Sequence, residues 1–173
     1  MSKDLLVEPL DAARHGRDDF SCGVASLDAY LKTQATQDVR RKANAVFVLV
    51  EAASPRKVLG YFTLCAYGVS HGDVPEAMRK HLPRYPLVSA TLIGRLAVAS
   101  AHQGHGLGAV LLVRALRKAY ESAEVVGSSM VVVEALDARA ARFYAAHGFI
   151  QLPDSMRLIL PMRTIASLFA RGT

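Results

Sequence analysis

The chain has 173 residues, 51% of them apolar and 21% charged, with a net charge of +6; that length fits one domain, expected to span residues 1–173 and to bury about 70% of its unfolded surface. No apolar run approaches the ~20 residues of a membrane span, the opening Met1-Ser-Lys-Asp-Leu-Leu6 lacks a signal-peptide pattern, and Cys22 and Cys65 match neither a disulfide framework nor a zinc spacing. The expectation is a cytoplasmic protein with reduced thiols, no membrane contact and no metal, whose surplus cations suit a polyanionic partner.

Leu5–Leu10 reads as a first strand. Ser26 is the expected N-cap of a helix whose apolar stripe is Leu27, Tyr30, Leu31, Ala35 and Val39, and whose end carries Arg40-Arg41-Lys42. Ala45–Glu51 and Val58–Ser70 are apolar strands joined by the turn Ser54-Pro-Arg-Lys57, a hairpin pattern. Asp73–His81 fits a short helix entered at Pro75, and Pro83-Arg-Tyr-Pro86 closes a loop before a long strand, Leu87–Val98. A helix over Leu107–Ser122 turns Leu107, Leu111, Leu112, Ala115, Leu116 and Ala119 inward. Ser129–Glu134 is a buried strand, Asp137 caps a helix through Ala146, and Gly148 ends it. Phe149–Leu152 and Arg157–Pro161 are the last strands, before a terminal helical turn at Ile165–Phe169.

The junction after Val98 carries the chemistry. It reads Ala99-Ser-Ala-His102-Gln103-Gly104-His105-Gly106-Leu107-Gly108-Ala109, between a β-branched strand and an amphipathic helix. Glycines permit close backbone approach, and the first amides of the helix are unpaired at the positive end of its dipole. Strand, glycine turn and helix N-terminus make a cradle for a pyrophosphate. A P-loop requires Gly-Lys-Ser/Thr where this chain has Gly108-Ala109, so that fold is excluded. Gly104-x-Gly106-x-x-Ala109 satisfies a loose dinucleotide fingerprint, with Glu134 ending a later strand. That fold needs several further βαβ units, and only about 65 residues follow Gly108.

Gln103-Gly-His-Gly106-Leu-Gly108 resembles a third cradle, the Gln/Arg-x-x-Gly-x-Gly/Ala acetyl-CoA loop of the GNAT N-acetyltransferases. Ala138-Arg-Ala-Ala-Arg-Phe143-Tyr144-Ala-Ala-His-Gly148-Phe149 is similar to a second segment of that family, in which a tyrosine points at the coenzyme sulfur. Phe20-Ser-Cys-Gly-Val-Ala-Ser-Leu-Asp-Ala-Tyr-Leu31 resembles the opening of one subfamily, the toxins of type II toxin–antitoxin systems that acetylate aminoacyl-tRNA. Gly60-Tyr-Phe-Thr-Leu64, Pro83-Arg-Tyr-Pro86 and Gly94-Arg-Leu-Ala-Val98 recur there in the same order, while Ala99-Ser100 replaces the usual Asp. The resemblance implies an α+β, three-layer GNAT-like fold with a mixed, largely antiparallel sheet and a splayed central strand. It implies acetyl-CoA as co-substrate, a ribbon-helix-helix antitoxin and a homodimer.

The same resemblance supplies roles. Leu96, Ala97 and Val98 hold pantetheine and thioester through free backbone amides. Gln103, Gly104, His105, Gly106, Leu107, Gly108 and Ala109 take the pyrophosphate, with Phe143 beside the cofactor. Tyr144, with an ordinary phenol pKa near 10, serves as proton donor to the departing thiolate. Arg40, Arg41, Arg79, Lys80, Arg84 and Arg95 are candidates for holding the tRNA acceptor stem, although Arg40 and Arg41 also suit a helix C-terminus for structural reasons. Glu134 is weighed as a base against an ordinary solvated strand end, and His102 and His105 as a metal pair against exposed loop residues. The alternatives are a GNAT acting on a small amine or protein N-terminus, and a non-catalytic acetyl-CoA-binding module.

Overall fold

The computed structural model describes residues 4–170. It contains a seven-stranded mixed sheet in the order β1-β2-β3-β4-β5-β7-β6, with six α-helices and short 3₁₀ turns between strands. The strands are β1 (Leu5–Pro9), β2 (Ala45–Glu51), β3 (Gly60–Ser70), β4 (Leu87–Val98), β5 (Met130–Glu134), β6 (Ile150–Gln151) and β7 (Arg157–Pro161). β2 and β3 form the expected antiparallel hairpin, Ala45 opposite Leu64 and Leu49 opposite Gly60. β4 and β5 run parallel with Thr91–Ile93 paired to Val131–Val133, and β7 lies antiparallel to β5. β5 ends at Glu134, whereas β4 continues to Val98.

The residues gather into two compact units, each with its own core. One comprises residues up to Cys65 together with Gly94–Ala115. Phe20, Tyr30, Leu31, Val48, Val50, Tyr61 and Ala97 form a buried cluster there. The other comprises Ala66–Ile93 with residues from Leu116 on. Val69, Val88, Met130, Val132 and Ile159 are buried together in it. On β5 the four residues before Glu134 are fully buried, the signature of a strand covered on both faces.

The first helical stretch departs from expectation in a physically instructive way. It consists of α1 (Ala25–Ala29), a π-turn (Tyr30–Gln34) and α2 (Ala35–Arg40). The N-cap is Val24 rather than Ser26, which lies within the first turn; no side chain caps the start. Asp28 instead accepts a hydrogen bond from the Cys22 amide at 2.9 Å and ties the preceding loop to the helix. At the π-turn the Ala35 amide reaches back to the Tyr30 carbonyl, so the Leu31 carbonyl loses its usual helical donor. Arg17 takes that carbonyl at 3.0 Å, and the Tyr61 hydroxyl takes the Leu27 carbonyl at 2.6 Å. The stripe Tyr30, Leu31, Ala35 is buried, as its spacing requires.

The helix expected over Asp73–His81 is only one turn, α3 (Glu76–Arg79), preceded by a 3₁₀ turn at His71–Asp73. α4 runs Leu107–Ala123 and buries Leu111, Leu112, Ala115, Leu116 and Ala119; Leu107 is only half-buried. α5 (Ala138–Ala146) is capped by Asp137, whose carboxylate accepts from the Ala140 amide at 2.8 Å, and Gly148 follows it at φ +92°. The chain closes in α6 (Met162–Ala170), longer than the turn expected at Ile165–Phe169. No helix among the described residues is long and apolar enough to cross a membrane.

Candidate active site

The loop from Ala99 to Gly106 belongs to the first unit and is fixed at both ends. Ser100 donates its amide to the Ser21 carbonyl at 2.7 Å. The Gln103 side-chain amide donates to the Cys22 carbonyl at 2.8 Å and the Val98 carbonyl at 2.9 Å. The Phe20–Leu31 segment is thereby the anchor of the loop: Asp28 holds Cys22, and Cys22 holds Gln103. Gln103, expected as a phosphate ligand, spends its NH₂ group on this scaffold. The Cys22 thiol is an inert part of it, since burial first and the neighbouring Asp28 second push its pKa up to about 11.

Gly104 and Gly106 take φ of +79° and +80°, with open space where a Cβ would stand. Gly106 precedes α4, its carbonyl accepting from the Val110 amide at 3.3 Å. The amides of Leu107, Gly108 and Ala109 therefore lie in the first turn of a 17-residue helix, where intrahelical partners are lacking. Open backbone, unpaired amides and the positive end of a helix dipole fit the diphosphate of acetyl-CoA. His105 is exposed at this loop, and His102 is half-buried with its Nε2 unpartnered. The two histidines flank a hollow of about 350 Å³ that Glu51 and Leu107 also line. Among the described residues no group of three or more His, Cys, Asp or Glu side chains stands where a metal ion would be held.

The end of β4 separates the expected amide donors. Ala99 donates to the Leu59 carbonyl at 2.8 Å, on the β3 side. Backbone groups alternate in direction along a strand, so Ala97 also faces β3, consistent with its carbonyl lying 2.8 Å from where a Cβ on Gly60 would be. Leu96 and Val98 direct their amides away from β3. By that alternation the Ala97 amide faces β3, and Leu96 and Val98 are the donors that face outward. Gln103 fixes Val98 by its carbonyl.

In the second unit, α5 carries Phe143 and Tyr144. Tyr144 is 8% exposed and boxed by rings, with Phe143 and Phe149 at 5.2 and 5.5 Å in edge-to-face arrangements. Burial alone pushes its phenol up to about 12. The group is therefore protonated throughout the neutral range. Phe143 is half-buried and packs against His147, the two rings tilted with centroids 4.7 Å apart.

The six expected tRNA-binding cations fall into both units and differ in availability. Arg40 and Arg41 are exposed at the end of α2, and Lys80 and Arg84 are exposed around the loop after α3. Arg79 is not free: it donates to the Val74 and Gly72 carbonyls at 2.7 and 2.9 Å and closes its own turn. Arg95 lies over the Tyr30 ring at 3.5 Å from its centroid, a packing role that the sequence pattern did not reveal. Also missed was a polar group around Tyr67, whose hydroxyl contacts Glu134 at 3.4 Å while Arg157 contacts Asp73 at 3.4 Å. Its members come from three distant segments, the end of β3 with the turn after it, the end of β5 and the start of β7, and only the alternation that places Tyr67 on the face of Val69 hints at it.

A family model for the acetyltransferase (GNAT) domain matches residues 42–151. A tRNA-acetylating toxin of Mycobacterium tuberculosis is 33% identical over 150 residues, covering 86% of this chain and 87% of its own. The solved structure of AtaT complexed with acetyl-methionyl-tRNAfMet superposes with a TM-score of 0.87 at 32% identity, covering 96% of this chain and 99% of that one. An AtaT mutant toxin bound to the C-terminus of its antitoxin AtaR and to acetyl-CoA gives a TM-score of 0.82 at 30% identity, covering 96% and 98%. With the matched domain spanning well over half of its residues, this chain belongs to the GNAT acetyltransferase family, in the group that contains the tRNA-acetylating toxins.

Proposed function

We propose that the chain, acting as a single catalytic domain, transfers the acetyl group of acetyl-CoA to the α-amine of an aminoacyl-tRNA. In this reading it is a cytoplasmic toxin, works as a homodimer and is neutralised by a ribbon-helix-helix antitoxin. The M. tuberculosis relative and the tRNA-bound AtaT complex support the acceptor, and the AtaR complex supports an antitoxin. The observation that carries the reading is the buried, unionised phenol of Tyr144 on the helix of the second family motif.

The residues divide the work. Gly104, Gly106 and the amides of Leu107, Gly108 and Ala109 hold the diphosphate; Leu96 and Val98 offer outward amides to the thioester oxygen, where negative charge develops. The amine nitrogen bonds to the acyl carbon, the carbon–sulfur bond breaks, and the electron pair leaves on sulfur. The resemblance of the Phe143-Tyr144 segment to the second family motif assigns Tyr144 to that charge, as a hydrogen-bond donor. Full transfer from a phenol at about 12 to a thiolate near the ordinary ~8.5 runs uphill. The phenol therefore stabilises the sulfur rather than surrendering its proton, and the amine's surplus proton completes the thiol. The α-amine itself, with an ordinary pKa of ~7.7–8.0, is already about a quarter to two-fifths neutral near pH 7.5 and needs little help to lose a proton.

Tyr144→Phe tests this. Removing a preorganised donor to developing charge costs ~10²–10³ in kcat, while deleting a buried hydroxyl leaves the fold intact. Single-turnover acetylation of a mixed pool of charged tRNA should slow by that factor, with acetyl-CoA affinity retained. Wild-type rates in the phenylalanine variant would remove Tyr144 from the chemistry. Acetylation of polyamines by the wild type, with none of charged tRNA, would replace the acceptor.

A further inference from the structure

Within the second unit, one carboxylate is placed where its natural partner ignores it. Glu134 ends β5 and stands directly opposite Arg157 of β7 in the antiparallel register. Opposite charges so placed share a face of the sheet and ordinarily pair. Arg157 instead turns its guanidinium to Asp73 at 3.4 Å. Glu134 is exposed and receives only the Tyr67 hydroxyl on Oε1, at 3.4 Å, long for an O–H···O contact. Its Oε2 accepts nothing from the described residues.

The surroundings specify what would complete this carboxylate. Glu134 continues the row Met130, Val132 along one face of β5, by the two-residue period of a strand. Those two residues belong to the buried apolar cluster, and Tyr67 and Leu92 pack half-buried against it. An unspent negative charge therefore sits at the rim of an apolar surface, with a hydroxyl acceptor beside it. Arg157, a nearby cation that also comes within reach of the Tyr67 hydroxyl, is paired with Asp73 at 3.4 Å. A primary ammonium on a short carbon frame has the matching chemistry: charge for Glu134, hydrogen for the Tyr67 oxygen, carbon for Leu92.

We propose that Glu134 and Tyr67 receive the α-ammonium of the aminoacyl group before transfer. The assignment rests on the reading of this chain as an aminoacyl-tRNA acetyltransferase. It gives the protein a way to tell substrate from product. Acetylation converts the cation into a neutral amide, which Glu134 no longer attracts, and a deacylated tRNA offers no ammonium at all. Because the carboxylate is exposed, the attraction is modest, so it orients the amine without fixing it as the cation.

Glu134→Gln is the test, with Tyr67→Phe as a second variant; neither removes a buried partner. Binding is measured without acetyl-CoA for one tRNA in three forms: aminoacylated, N-acetylaminoacylated and deacylated. The wild type should prefer the aminoacylated form by about fivefold over the acetylated one, and Glu134→Gln should erase that preference without changing affinity for deacylated tRNA. In turnover it should raise KM for aminoacyl-tRNA and leave KM for acetyl-CoA alone. A wild type with no preference, a variant that keeps it, or an equal rise in both KM values overturns the site. Failure of the functional reading is visible separately, as a wild type that acetylates a small primary amine such as spermidine and no charged tRNA. In that event a raised spermidine KM in Glu134→Gln supports the ammonium site, and an unchanged one overturns it.

Discussion

Gly104 and Gly106 occupy a backbone region where an L side chain is strained whatever room it has, and both have that room. Two effects of substitution can therefore be separated at Gly106. Alanine brings the cost of positive φ, ~1–2 kcal/mol. Asparagine tolerates the conformation and adds atoms where the diphosphate would lie. Gly106→Ala should lower thermal stability and weaken acetyl-CoA binding together. Gly106→Asn should keep its melting temperature within a degree or two while losing about tenfold or more in acetyl-CoA affinity by calorimetric titration. An asparagine variant that binds as well as the wild type would move the diphosphate away from this turn. Gln103 shows why residue type alone misleads at this scale: its NH₂ group is consumed by two carbonyls, so its contribution is to hold the loop.

Among elements, the π-turn opens on the residue that holds Arg95. Arg95 lies over the Tyr30 ring, while the Tyr30 hydroxyl bonds Asp38 at 2.8 Å and Asn44 bonds the same carboxylate oxygen at 3.0 Å. The Asp38 carboxyl is held below its usual range, by Gln34 and Tyr30 first and then Asn44. Arg95→Ala should destabilise the protein by ~0.5–2 kcal/mol, the range of a cation–π contact, read from urea unfolding. Its tRNA affinity should keep the wild-type dependence on salt. Arg40→Glu, Arg41→Glu and Arg84→Glu combined should do the reverse, preserving stability and flattening the plot of log affinity against log salt, because fewer phosphate counterions are released. A steep slope surviving in the triple variant would locate the tRNA surface elsewhere.

At the scale of the whole molecule, three buried phenols couple stability to alkaline pH. Burial raises Tyr30 and Tyr144 to about 12, with the Asp38 contact adding at Tyr30, and Tyr61 is raised as well. Below the ordinary phenol pKa near 10, folded and unfolded chains are both protonated and these groups have no effect. As pH rises past that value the unfolded chain releases protons that the folded chain retains, so the unfolded state gains. Each such phenol should cost on the order of 1 kcal/mol by pH 11. Unfolding midpoints in urea should fall between pH 9 and 11, and Tyr144→Phe should shallow that fall while matching the wild type at pH 8. Identical slopes in the two proteins would mean that the Tyr144 hydroxyl is hydrated.

The succession of strands and helices along the chain, the β2–β3 hairpin, the cap at Asp137 and the glycine turn ahead of α4 were legible in the sequence, because each rests on local rules of period, capping and backbone freedom, whereas the place of β7 between β5 and β6 was not. The two family-like motifs were legible for the same reason, being contiguous. The direction of the Ala97 amide, the diversion of Arg79 and Arg95 into packing, the clamp from Cys22 to Gln103 and the isolation of Glu134 from Arg157 were not. Each depends on which distant backbone or ring comes within a few ångströms, and no local pattern encodes that. The same holds for the phenol of Tyr144: its identity is written in the chain, but the burial that weakens its acidity and makes it hold its proton comes from residues packed around it, Phe143 and Phe149 among them.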